Sequence, residues 1–289
     1  MTPSTSAKWG LRTLGLGYLG LLLLAPVAMI FYKTFEHGFG PPFEAMTSPE
    51  AIHAIQLTLL MVAIAVPLNT IFGVGCALLL VRRRWWGNGV IDMIINLPFA
   101  VSPIVVGLSL YLLYGNTGWF GPFVEDLGFQ VLFNWPAMVL ASVFVSLPFV
   151  VREVVPVLHE IGTEQEQAAS TLGANGWQTF WRITLPAIRW GVAYGIVLTT
   201  ARVLGEFGAV TIVSGSISGE TETMPLFVAK AFEQFQEEAA YAGAIVLALL
   251  ALTTLLLMSI GGRKTKAAGA GTPVAADAAL SMSKPKEGS

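Results

Sequence analysis

Charge is scarce in this chain of 289 residues. Asp, Glu, Lys and Arg make up 12% of it, against about 25% in an ordinary soluble domain. Apolar residues reach 54% and the mean hydropathy is +0.68, so the composition is that of a membrane protein. The net charge of -2 carries no basic excess for a nucleic-acid partner. One cysteine, Cys76, sits inside an apolar run, which rules out an intrachain disulfide and leaves a structural thiol. His37, His53 and His159 lack metal-ligand spacing. There is no GxxxxGK[ST] loop, so ATP hydrolysis cannot belong to this polypeptide. No nucleophile and base stand together in a pattern that points to a membrane enzyme.

Long apolar runs are what the chain has in abundance. A helix needs about 20 residues to cross the hydrocarbon core, and six segments approach or exceed that. They lie at Leu14 to Tyr32, Leu57 to Val81, Val90 to Tyr114, Trp135 to Val151, Ala187 to Val213 and Ala240 to Ile260. The first follows Lys8 and Arg12, as a secretion signal would. Its length and Pro26, placed where cleavage would fall, predict a retained helix. Alternating spans put Lys8, Arg12, Arg82, Arg83, Arg84, Arg152, Arg182, Arg189, Arg263, Lys264 and Lys266 on one side. The opposite loops hold Lys33 and Lys230 among ten acidic residues. The positive-inside rule therefore predicts that both termini and the segment 163–189 face the cytoplasm.

Residues 1–8 and 265–289 lack apolar periodicity and read as disordered tails. Pro67, Pro98, Pro103 and Pro148 fall within or beside spans, where they either kink helices for packing or shape a path between them. Gly73 and Gly75 predict close helix contact in the second span.

The polar segment from Thr163 to Arg189 reads as a capped helix pair. Thr163 and Glu166 have capping-box spacing, and Gly173 is a left-handed stop. Asn175 with Gln178 caps a second helix, in which Trp177, Phe180, Trp181 and Thr184 share a face until Leu185-Pro186 ends it. Two uses fit such a pair equally: a docking surface for a soluble partner, or an interfacial helix lying aromatic side down on the headgroups.

Gln167-Ala168-Ala169, Gly173, Ile183, Leu185 and Pro186 keep the spacing EAA-x3-G-x9-I-x-LP. This stretch resembles the EAA loop of ATP-binding-cassette importer permeases. Only the first position departs, with Gln167 where glutamate is usual and Glu166 just before it. The resemblance implies a coupling helix seated in a cleft of an ATPase subunit, with Ala168, Ala169 and Gly173 at the contact. Glu166 could replace the family glutamate only if the helix rotates slightly. Ile91 to Gly115 is similar to sulfate and molybdate permeases, and Arg202 to Ala209 keeps an RxxGEFGA core shared by oxyanion permeases. Val213 to Thr221, VSGSISGET, resembles the sulfate/thiosulfate permeases in particular.

What the resemblance implies is an all-α membrane protein with six transmembrane helices, in the type I importer permease (MetI-like) architecture. The tail 1–12 and the segment 13–54 precede a permease core over 55–262, with the coupling loop at 163–186 and a tail at 263–289. The expected role is a permease subunit of an ATP-driven sulfate/thiosulfate importer in a bacterial inner membrane. A molybdate or tungstate permease and a passive anion channel are the alternatives. No cofactor is expected on this chain, since ATP and Mg belong to the ATPase. The implied partners are two ATPase subunits, a sister permease, an extracytoplasmic sulfate-binding protein and membrane lipid.

Arg202 lies deep in the fifth span with Glu206 one turn later, a placement that costs about 2.5–3.5 kcal/mol for the charge. Spaced i, i+4, the two can neutralise each other and fix packing. Alternatively Arg202, Glu206 and Ser214 border the path of a tetrahedral dianion.

Overall fold

The computed structural model describes residues 5–83, 86–126, 128 and 130–269, and among them all regular secondary structure is helical. Arg84 and residues 270–289 of the expected tail lie outside them. The helices are α1 (Thr5–Phe35), α2 (Gly40–Met46), α3 (Pro49–Arg82), α4 (Asn88–Ala100), α5 (Pro103–Tyr114), α6 (Gly121–Asp126) and α7 (Trp135–Ile161). There follow α8 (Glu164–Thr171), α9 (Gly176–Thr179), α10 (Leu185–Leu204), α11 (Gly208–Ser214), α12 (Met224–Glu233) and α13 (Glu237–Gly269). Among the described residues five stretches are long and apolar enough to cross a membrane, and α4 with α5 makes a sixth if taken as one bent span.

The centre is α3, α7 and α10. Helices in lipid gain little from apolar burial alone, so close backbone approach carries much of the packing. Gly73 of α3 and Gly195 of α10 both press on Val150 of α7: a Cβ on Gly73 would lie 2.6 Å from Val150 Cβ, and one on Gly195 would lie 2.9 Å from Val150 Cα. Gly75, by contrast, has open space beside it. One buried cluster joins Val74, Ala77, Val150, Val154, Leu158 and Ile188; another joins Met61, Met138, Val145, Val210 and Val213. Between α3 and α7, Asn69 Nδ2 donates to Ser146 Oγ at 2.7 Å. The α1 span has no buried residue in its apolar window and touches the bundle through α13.

Three spans differ from their sequence boundaries in ways that matter. The third breaks at Val101–Ser102, where α4 and α5 meet at 110°. Pro98 and Pro103 bracket the break, each lacking the N–H that a continuous helix would need. The fourth runs on to Ile161, so Arg152 is inside α7 rather than flanking it. The fifth ends at Leu204 and restarts as α11, which lies against α5: a Cβ on Gly107 would meet Ala209 O at 2.6 Å. Broken backbone at membrane depth is tolerated where protein surrounds it, and Ala209, Val210 and Val213 are fully buried.

Candidate coupling loop and membrane ion pair

The loop between α7 and α10 is built from strong local signals. Helix α8 stops in a Schellman turn: Gly173 at φ +85° donates to Ser170 O at 3.0 Å, and Ala174 N donates to Ala169 O at 3.0 Å. Asn175 and Gln178 form the reciprocal capping box at the start of α9. The box expected at Thr163 is not made. Thr163 Oγ1 instead accepts from Gln167 Nε2 at 3.0 Å, and the Glu166 carboxylate turns away from it.

Glu166 is held by a cation on another span. Arg82, the last residue of α3, places Nε 2.9 Å from Glu166 Oε2 and donates from Nη2 to Glu166 Oε1 at 3.2 Å. The same guanidinium donates to Leu158 O at 3.2 Å and to Gly162 O at 2.7 Å, which are the free carbonyls at the end of α7. Thr184 Oγ1 donates to Glu166 Oε1 at 2.8 Å. A forked, partly buried ion pair outweighs a solvent-exposed cap, which accounts for the lost box.

Leu185-Pro186 does not end the second helix. Phe180–Thr184 forms a π-helical turn that runs from α9 into α10. A proline ring collides with the carbonyl four residues earlier in an α-helix. The wider turn, closed by Leu185 N–H on Phe180 O, delivers Pro186 into the first turn of α10. It also rotates Thr184 inward, to 4% exposure, away from the face of Trp177 and Trp181.

The loop presents a mixed polar and apolar surface outward. Gln167, Ala168 and Gly173 are exposed, as are Leu172, Trp177 and Trp181. Trp177 and Trp181 stack edge to face at 5.6 Å. Ala169 is buried, Ile183 and Leu185 are half-buried against the bundle, and Pro186 is exposed. The sequence places Arg82 only among the flanking charges and Thr184 only on the aromatic face, since tertiary contact alone joins them to Glu166.

The second candidate group is brought together as well. Arg202 Nη1 lies 2.6 Å from Glu206 Oε2, and Glu206 Oε1 accepts from Ala209 N at 3.0 Å. The carboxylate is 1% exposed and the guanidinium 29%. Glu206 thus bridges the break, binding the end of α10 and the first turn of α11. Ser214 is fully buried at the far end of α11, where its hydroxyl accepts from Ser216 N at 3.1 Å. Among the described residues no three His, Cys, Asp or Glu side chains converge to hold a metal.

Comparison with known proteins adds the family. Residues 69–266 match the family described as the binding-protein-dependent transport system inner membrane component. The chain belongs to that family. It is a multi-pass inner-membrane permease component, not a catalytic subunit. It is 50% identical to the sulfate transport system permease protein CysW of Synechococcus elongatus over 243 residues, covering 84% of this chain and 85% of that protein. It is 36% identical to the permease protein CysT of Escherichia coli, covering 86% and 90%. In fold it is similar to a bacterial alginate ABC importer (TM-score 0.75, 20% identity, 90% of this chain and 96% of that one). The MetNI methionine transporter aligns with a TM-score of 0.51 at 19% identity over 75% and 94%.

Proposed function

We propose that this chain is the CysW-type permease subunit of an ATP-driven importer that moves sulfate and thiosulfate into a bacterial cytoplasm. The single observation that carries the coupling part is the α8–α9 pair. It is capped at both internal ends, anchored through Glu166 to the π turn and to Arg82 of α3, which also holds the end of α7, and bare on its outer side. Such a piece can move its spans as a unit when a partner grips it. In this reading two ATPase subunits bind ATP and Mg, and one of them receives Gln167, Ala168, Leu172 and Gly173, with Ala169, Ile183, Leu185 and Pro186 completing the seat. Glu166 acts as an internal strut. A CysT-like sister permease completes the pathway. Both termini face the cytoplasm.

At the opposite end a sulfate-binding protein delivers the anion. The segment from Gly219 to Glu238 suits docking because it is held in shape. Glu222 is 1% exposed, with Lys230 Nζ 3.3 Å from its Oε1 and Ser218 donating to its Oε2 at 2.8 Å. The decisive experiment is labelled sulfate uptake in cells with and without this chain, challenged by thiosulfate and then by molybdate. Chain-dependent uptake that yields to thiosulfate is the expected result; uptake indifferent to the chain overturns the sulfate assignment in favour of a molybdate or tungstate permease.

A further inference from the structure

We propose that Arg152, held by Asn96 and Phe99, is an anion-binding station in the cytoplasmic half of the membrane, where a tetrahedral dianion such as sulfate pauses before release. The proposal rests on the reading of this chain as an oxyanion permease. Arg152 stands nine residues before the end of α7 at Ile161, about 14 Å along the helix axis. It is therefore well above the level at which Arg82 meets Leu158 and Gly162. Its Nε and Nη2 both donate to Asn96 Oδ1, at 3.0 and 2.9 Å. The guanidinium carbon lies 4.3 Å from the centroid of the Phe99 ring, and Phe99 meets Phe149 edge-on at 5.3 Å.

The charge of Arg152 is left uncancelled among the described residues, and this separates it from Arg82 and Arg202. Arg82 pairs with Glu166 and Arg202 with Glu206. Among the described residues no carboxylate forms an ion pair with Arg152; its partner is a neutral amide. The nearest acid in that chain of bonds, Asp92, accepts from Asn96 Nδ2 at 3.0 Å rather than from the guanidinium. Glu153 follows on α7, but its backbone faces α10, where a Cβ on Gly191 would lie 2.8 Å from Glu153 O. A guanidinium cannot shed its proton, and an uncancelled charge in a transmembrane helix marks a water-filled cavity or a pathway.

The surroundings fit that assignment. Asp92, Asn96 and Arg152 form a polar ladder rising from the start of α4, while Val90, Met93, Ile94 and Leu97 form a separate exposed apolar face. Arg152 is exposed, and its Nη1 edge makes no hydrogen bond among the described residues. Two parallel N–H groups on a planar fork match two oxygens of a tetrahedral anion. The Asn96 and Phe99 contacts hold the side chain in place beforehand, which lowers the entropy cost of binding. A single cation binds a dianion weakly enough to let it leave, as conduction requires.

The test uses the assembled complex with its ATPase, sister permease and binding protein in vesicles. Arg152→Gln and Asn96→Asp both remove the free charge, the second by supplying a carboxylate of the same shape. Each is expected to lower sulfate uptake at least tenfold, with assembly, basal ATPase activity and co-purified lipid phosphorus unchanged. Arg152→Lys should retain part of the uptake with a raised KM. Wild-type uptake in either charge-removing variant overturns the proposal. Loss of assembly overturns it in favour of a packing role, and loss of bound lipid phosphorus in favour of a headgroup site. If the unaltered complex itself takes up no sulfate, the substrate reading fails instead.

Discussion

Two ion pairs sit at interruptions of the helical bundle, and they differ in how far apart their partners lie in sequence. Arg202 and Glu206 are one turn apart, and their carboxylate ties α10 to α11. Arg82 and Glu166 are 84 residues apart, and theirs ties the coupling loop to α3 and the end of α7. Glu206 meets its guanidinium through one oxygen and Glu166 through both, and each carboxylate also accepts a further donor: Ala209 N in one, Thr184 Oγ1 in the other. The short-range pair stiffens a single break inside the membrane. The long-range pair joins elements that move together if the loop is gripped, so it is the one suited to transmit force.

The sharpest way to break this contrast is Glu206→Ala. It leaves Arg202 unpaired beside a buried site and frees the Ala209 amide in the first turn of α11, at a cost of about 3–5 kcal/mol. We expect the detergent-solubilised complex to lose most of its assembled fraction; an unchanged melting temperature would show that the pair is idle. Next is Glu166→Ala. We expect uptake to fall at least tenfold while the chain still assembles and still pulls down the ATPase. Exchanging the charges, Arg82→Glu with Glu166→Arg, should restore part of it, whereas equal defects in the single and double variants would contradict a strut.

Gly173→Ala comes third. At φ +85° a Cβ is strained, and the Schellman turn should lose about 1 kcal/mol; the readout is a several-fold weaker ATPase affinity with normal membrane insertion. The smallest effect is expected from Gln167→Glu. Gln167 is exposed and, among the described residues, its side chain bonds only to Thr163, so stability should stay within about 0.5 kcal/mol. Any change should appear solely in ATPase binding. A large loss of stability would mean that residue 167, not 166, supports the loop from within.

Much of this was legible beforehand wherever the information is local. The Gly173 stop and the Asn175–Gln178 box depend on residues within one turn, and both stand as read. The i, i+4 pairing of Arg202 with Glu206 is likewise a property of one helix. The Thr163–Glu166 box was local too, yet it lost to Arg82, a partner no spacing rule could supply. Arg152 reads as a flanking charge in the sequence because apolar composition thins after Val151, although the helix continues to Ile161. The 110° bend and the π turn both sit at prolines. Sequence shows that the N–H is missing there; whether the chain breaks, kinks or widens depends on what packs against it.

Composition and hydropathy by themselves determined that this is a helical membrane protein with membrane-length apolar runs, because crossing lipid demands about 20 apolar residues whose backbone bonds are satisfied within each span. The local motif spacing likewise determined which loop is the coupling candidate. Only the tertiary structure decided which carboxylate Arg82 meets, that Arg152 meets a neutral amide instead, and where spans break. Those outcomes depend on distances between residues far apart in the chain, and a charge in low-dielectric surroundings is governed by whatever folding places within a few ångströms of it.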